Sequence, residues 1–183
     1  TYLDAYIHYN FHYCFLKVGM KMKHKRFKLF LVYYFFYCLF VIGAGIFFAS
    51  ILNVDFFEPE VPELGDDFRN LVLTHNLRNF ALYLLGFIIS PLLQMLDLGG
   101  SAFQITLGFR IFGAEEGLNR LIPHGLLEFP NMLLYMGISQ YLLWTLIFTR
   151  SIRTTLEVIK KLIPVYILSL AILIIAAIIE GYI

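Results

Sequence analysis

Residues 29–52 form one apolar run, and Lys17, Lys21, Lys23, Lys25, Arg26 and Lys28 crowd its N-terminal side. A helix crosses a hydrocarbon core with about 20 apolar residues, so this run is long enough to span a bilayer. Further apolar runs occupy 75–96, 118–148 and 162–179. Several spans in one chain leave little choice of fold, because backbone donors and acceptors find no water in lipid and must bond within the protein. The reading is an all-α, polytopic transmembrane bundle of about five spans.

Composition agrees. Of 183 residues, 60% are hydrophobic and 15% charged, and mean hydropathy is +0.75. Soluble domains hold about 45–50% apolar and about 25% charged residues. The net charge of +1 is segregated along the chain and not pooled on a face, so no nucleic acid partner is expected. Cys14 and Cys38 are too few for a disulfide framework, and one should lie near the membrane surface and the other within a span. No cleavable signal peptide is visible, since the first apolar run is too long for one. The chain opens on Thr1 and not on Met, so part of a native N-terminus is expected to be missing.

Two parts follow: an aromatic, basic N-terminal segment over 1–28, and a transmembrane helical domain over 29–183. Tyr2, Tyr6, Tyr9 and Tyr13 share a helix face and suit either an interfacial helix or a tail packed on the bundle. The basic block marks the cytoplasmic side. Gly43-Ala44-Gly45 and Ala49-Ser50 form a small-residue patch that permits close helix approach. An acidic loop with Asp55, Glu58, Glu60, Pro59 and Pro62 fits the outer side and no calcium-binding pattern.

The second segment opens near Thr74 or Asn76 as a cap, carries Pro91 as an expected kink, and closes at Asp97-Leu98-Gly99-Gly100. Residues 101–113 form a short polar third segment with Gln104, Thr106 and Arg110. Arg150, Arg153, Lys160 and Lys161 make a second basic loop, also cytoplasmic. An even number of crossings must then separate the two basic regions. Segments 29–52, 77–96, 101–114 and 118–148 supply four, and 162–179 leaves the C-terminus outside.

The fourth segment holds Pro123-His124-Gly125 and, beyond it, Glu128 and Pro130. Ionisable groups at bilayer depth are costly and face a protein interior or a wet cavity. Prolines remove backbone donors, so the helix is expected to break there. His124 and Glu128, four residues apart, share a face of an unbroken helix. They allow a metal half-site, a proton or substrate relay, or a structural lock on the broken helix. The lock is the favoured reading, and no metal or other cofactor is assigned. His75, Asn76, Arg78, Gln104 and Arg110 are candidates to face a substrate or partner. No G-x-S-x-G, Walker A or G-x-G-x-x-G motif occurs, which argues against an enzyme.

The stretch Leu121-Ile122-Pro123-His124-Gly125-Leu126-Leu127-Glu128-Phe129-Pro130 resembles the signature of the stage II sporulation protein M family. His75-Asn76-Leu77-Arg78 is similar to that family's entry to its second span, and Gly108 to a residue of its polar third segment. His75, Asn131 and the aromatic N-terminal extension depart from the pattern. The resemblance implies a bacterial cytoplasmic membrane protein with its N-terminus inside. It implies a non-enzymatic scaffold among envelope proteins such as cell-wall hydrolases. Its alternative is the membrane subunit of an ABC-type transporter for peptide export or immunity, with an ATP-binding subunit in trans.

Overall fold

The computed structural model describes residues 24–56 and 66–180. The aromatic N-terminal segment with Cys14, most of the acidic loop and the last three residues lie outside the described residues. Every regular element among the described residues is helical. In chain order they are α1 (His24–Ile51), a 3₁₀ turn (Val54–Phe56), α2 (Asp66–Leu85), a second 3₁₀ turn (Phe87–Ile89), α3 (Ser90–Phe112), α4 (Ala114–Thr149) and α5 (Ile152–Glu180).

Three of these helices are long and apolar enough to cross a membrane: α1, the 125–149 part of α4, and α5. A fourth candidate arises only if α2 and α3, bent by 91° at their junction, are counted together. The expected five spans are therefore not reached among the described residues.

The break falls in the second segment and not in the fourth. α4 is helical without interruption through Pro123 and Pro130. Each proline removes one backbone donor, but the rest of the ladder stays in place, and in lipid a freed backbone has nowhere better to bond. Gly86 is where the chain turns. Its N–H still reaches the Leu82 carbonyl at 2.7 Å, closing α2, and the Ile89 N–H reaches the Gly86 carbonyl at 3.0 Å. Pro91 then sits in the first turn of α3, where a missing N–H costs nothing. It starts a helix and does not kink one. Asp97-Leu98-Gly99-Gly100 lies inside α3, so residues 101–113 are the second half of that helix and no separate span. α2 begins at Asp66, ahead of Thr74 and Asn76, which are not its caps.

Contacts along α4 show the direction of each half. On α2, Asn76 bonds to Glu128, Phe80 packs on Tyr135, and Tyr83 accepts from Ser139. α2 thus runs parallel to α4. On α3, Gln94 bonds to Gln140 while Phe109 lies beside Gly117. α3 thus runs back. The chain enters the bundle from the end where α1 stops, turns at Gly86–Ser90 beside the middle of α1, and returns to the same end.

α1 and α4 are antiparallel and joined by aromatic rings. Phe27 meets Tyr141 edge-on at 5.6 Å, Phe30 meets Tyr141 at 5.1 Å, and Tyr33 stacks on Trp144 at 5.4 Å. Such pairs contribute about 0.5–1.5 kcal/mol each beyond their buried area. Arg26 sits 6.0 Å above Phe148, so the basic start of α1 and Arg150 share one end of the bundle. Arg150 takes a left-handed backbone with φ 50°, which ends α4, and the Ser151 hydroxyl accepts the Thr154 N–H at 3.2 Å, which caps α5.

The small-residue patch works as expected at Gly45. A Cβ there would run into the Gly99 carbonyl oxygen and crowd Ala102, so α1 and α3 approach backbone to backbone. Gly43 faces open space.

Candidate functional site

A cavity of about 250 Å³ opens where α2, α3 and α4 meet. Asn76, Ser101, Gln104 and Glu128 supply its polar lining, and Gly125 forms part of its wall. The Asn76 amide donates to Glu128 Oε1 at 2.7 Å, tying α2 to α4. Such a bond to a carboxylate is charge-assisted and stronger than a neutral one. Tyr135 is buried and lines the same cavity. A second cavity of about 220 Å³ shares Gln104, Ile105 and Leu121 with the first and continues past Gly108, Phe109 and Gly117.

Four of the residues expected from the sequence therefore come together: Asn76, Gln104, Gly125 and Glu128. Others do not join them. His75 and Arg78 are exposed on α2, and His75 contacts Asn79 of its own helix at 3.2 Å. Pro130 is exposed on α4. Pro123 and His124 lie in α4, and their side chains fall outside the described ones. Arg110 faces away from the cavity: its guanidinium donates to the carbonyls of Ala49 and Leu52, the latter at 2.8 Å. These are terminal carbonyls of α1 with no helical partner, and a cation there also meets the negative end of the helix dipole.

Deeper in the bundle lies a polar network that the sequence reading passed over. The Gln140 amide donates to Gln94 Oε1 at 2.7 Å. The Gln94 amide in turn faces the Tyr34 hydroxyl at 3.3 Å and Cys38 Sγ at 3.2 Å. Tyr34 donates to the Leu133 carbonyl at 2.7 Å. The Tyr37 hydroxyl donates to the Pro91 carbonyl, pinning the start of α3 to α1. On the other side of α4, Asn131 donates to the Ser169 carbonyl at 2.9 Å and Ser169 returns a bond to Asn131 Oδ1 at 2.7 Å. A glutamine inside an apolar run was the available signal, because a buried amide in lipid needs a partner as a charge does.

Among the described residues no three His, Cys, Asp or Glu side chains gather as a metal centre would need. Neither a curated relative nor a solved structure matches the chain. One family does: the model of stage II sporulation protein M matches residues 32–183, which takes in all of α2 to α5 and most of α1. The chain belongs to the stage II sporulation protein M family.

Proposed function

We propose that this membrane protein is a non-enzymatic scaffold subunit of a multiprotein envelope complex. The supporting observation is how its interior polar groups are used. Gln94, Gln140, Asn131, Ser139 and Ser169 are buried, and each bonds to a different helix of the same chain. Such bonds fix helix positions and commit those side chains to holding the bundle together. The outer faces supply the complementary half. α1 exposes Phe35, Phe36, Phe40 and Phe47, and α5 exposes Ile163, Ile167 and Ile175. Apolar surface of that extent belongs against lipid or partner helices.

The proposed topology places both basic regions in the cytoplasm. α1 crosses outward, α2 and α3 dip in from outside and return, α4 crosses inward, and α5 crosses outward. Two full crossings separate Arg26 from Arg150, which satisfies the positive-inside rule. Glu115 and Glu116, in the first turn of α4, then face the outside. The C-terminal end of α5 is also outside.

A second reading, the membrane subunit of an ATP-driven transporter, draws on the cavity between α2, α3 and α4. Half-helices that meet within a membrane often line substrate sites. Mild-detergent capture of the tagged protein from its native membrane, followed by mass spectrometry, separates the two. A cell-wall hydrolase or another envelope protein in the captured material supports the scaffold. A nucleotide-binding subunit shifts the assignment to transport. Recovery of the chain alone contradicts both.

A further inference from the structure

α5 begins before its apolar part does. The apolar run 162–179 follows a segment, 152–161, that carries Arg153, Glu157, Lys160 and Lys161. Thr155, Val158, Leu162 and Val165 are buried against the bundle, so the opposite face of α5 looks outward. That outward face reads Arg153, Leu156, Lys160, Ile163 and Ile167, all exposed. Steps of three and four residues keep them in one row along the helix.

The row matches the layers of a membrane surface. Arg153 and Lys160 stand two turns apart, about 10 Å along the axis. A headgroup layer adds about 5–7 Å to each side of the hydrocarbon core. Lys160 therefore stands at the edge of the hydrocarbon while Arg153 reaches through the headgroups, and Ile163 and Ile167 lie below among the acyl chains. Lys161, also exposed, stands beside Lys160, and both stems are long enough to snorkel up to the phosphates.

The charge at this end is one-sided. Arg26 and Lys28 on α1 and Arg150 at the turn are exposed there too. Residues 24–54 hold no carboxylate, and Glu157 is the only one in 129–179. Glu157 lies 3.7 Å from Arg153, with both side chains largely exposed, and such a pair is weak in water. The positive charge on α5 thus exceeds what the chain offers to balance it locally, and the complement available at that depth is lipid phosphate. Anionic lipid surfaces attract juxtamembrane cations of this kind.

We propose that the outward face of α5, from Arg153 to Ile167, holds anionic phospholipid, with Arg153, Lys160 and Lys161 on the headgroup and Leu156, Ile163 and Ile167 along the acyl chains. The preference needs only that α5 crosses the membrane, so it is the same for a scaffold and for a transporter subunit. No Lys or Arg follows Lys161, so the far half of α5 should show no such preference.

The test places a reporter at each level of the same face. Trp144 is the only tryptophan of the chain, so Trp144→Phe gives a dark background. Ile163→Trp or Ile175→Trp, both at exposed positions, is then added to the full chain in phosphatidylcholine vesicles. Quenching by brominated phosphatidylglycerol is compared with quenching by brominated phosphatidylcholine. At position 163 the anionic lipid should be preferred about threefold or more, and at 175 the two should quench alike. The combined Arg153→Gln, Lys160→Gln and Lys161→Gln changes lie on the surface, and should remove most of the preference while leaving the melting temperature unchanged. High salt should also reduce it. If a tryptophan variant does not fold, spin-labelled phosphatidylglycerol and phosphatidylcholine on the unaltered chain read the same preference by their immobilised fractions, with the triple glutamine variant as the control. Equal association of the two lipids overturns the proposal and leaves these cations for an acidic protein partner. A preference that survives the triple variant overturns it as well.

Discussion

The side-chain amide of Gln140, midway along α4, donates to Oε1 of Gln94, one turn into α3, at 2.7 Å. This bond anchors the returning half-helix at its deepest point. Beside it the Ser139 hydroxyl donates to the Tyr83 carbonyl at 2.7 Å, near the end of α2. Both arms of the turn at Gly86 are thus held to consecutive residues of one helix, and the turn stays at mid-height in the bundle.

Replacing either glutamine strands the other. Gln140→Leu and Gln94→Leu should each lower unfolding stability in detergent by about 1–2 kcal/mol. The double variant should lose less than the sum, because it removes both polar groups together. A double-mutant cycle on thermal or denaturant unfolding checks this, and strict additivity would mean that the two amides do not depend on each other.

Gly45 and Gly43 should behave oppositely although they are two residues apart on α1. Gly45→Ala drives a methyl group toward the Gly99 carbonyl and should cost about 1–3 kcal/mol. Gly43→Ala meets nothing within 4 Å and should be neutral or slightly stabilising, since alanine favours the helix. Melting temperatures of the two variants in the same detergent provide the comparison.

Arg110→Met should free the last carbonyls of α1 and lower stability by about 1–3 kcal/mol. Arg110→Lys should recover part of the loss, because an ammonium keeps the charge at the helix end but not the two-armed donor geometry. Hydrogen exchange of the α1 C-terminal turn would localise the effect; protection unchanged in Arg110→Met would show that the guanidinium holds nothing there.

The long apolar runs were legible in the sequence because length alone decides whether a helix can cross lipid. The small-residue patch was legible for the same kind of reason, since only glycine lets two backbones meet. The turn at Gly86 was not. A single glycine in an apolar segment is tolerated within helices, and nothing nearby marks it as a break. Pro91 drew attention five residues too late, because proline in a first helical turn is a start signal while the same residue further in is a kink. Pro123 and Pro130 suggested a break that α4 does not make, as losing two donors is cheaper than exposing a whole turn of backbone to lipid. Within the candidate site, Glu128 stood out as a charge inside an apolar run and Asn76 by its place at the entry to the second segment. Their pairing depends on α2 and α4 lying parallel, which follows from the missed turn. Gln94 and Gln140 went unread because they carry no charge, although burial makes the same demand of them.

The most direct test of this account is the side of the membrane on which the loops after α1, α3 and α4 emerge. Single cysteines at Asn53, Gly113 and Arg150, in a background lacking Cys14 and Cys38, would be probed in intact cells with a membrane-impermeant maleimide. If α2 and α3 enter and return, Asn53 and Gly113 label from outside and Arg150 labels only after permeabilisation. If the bent pair instead crosses the membrane as one span, Gly113 is protected and Arg150 labels in intact cells, and that result would contradict the account.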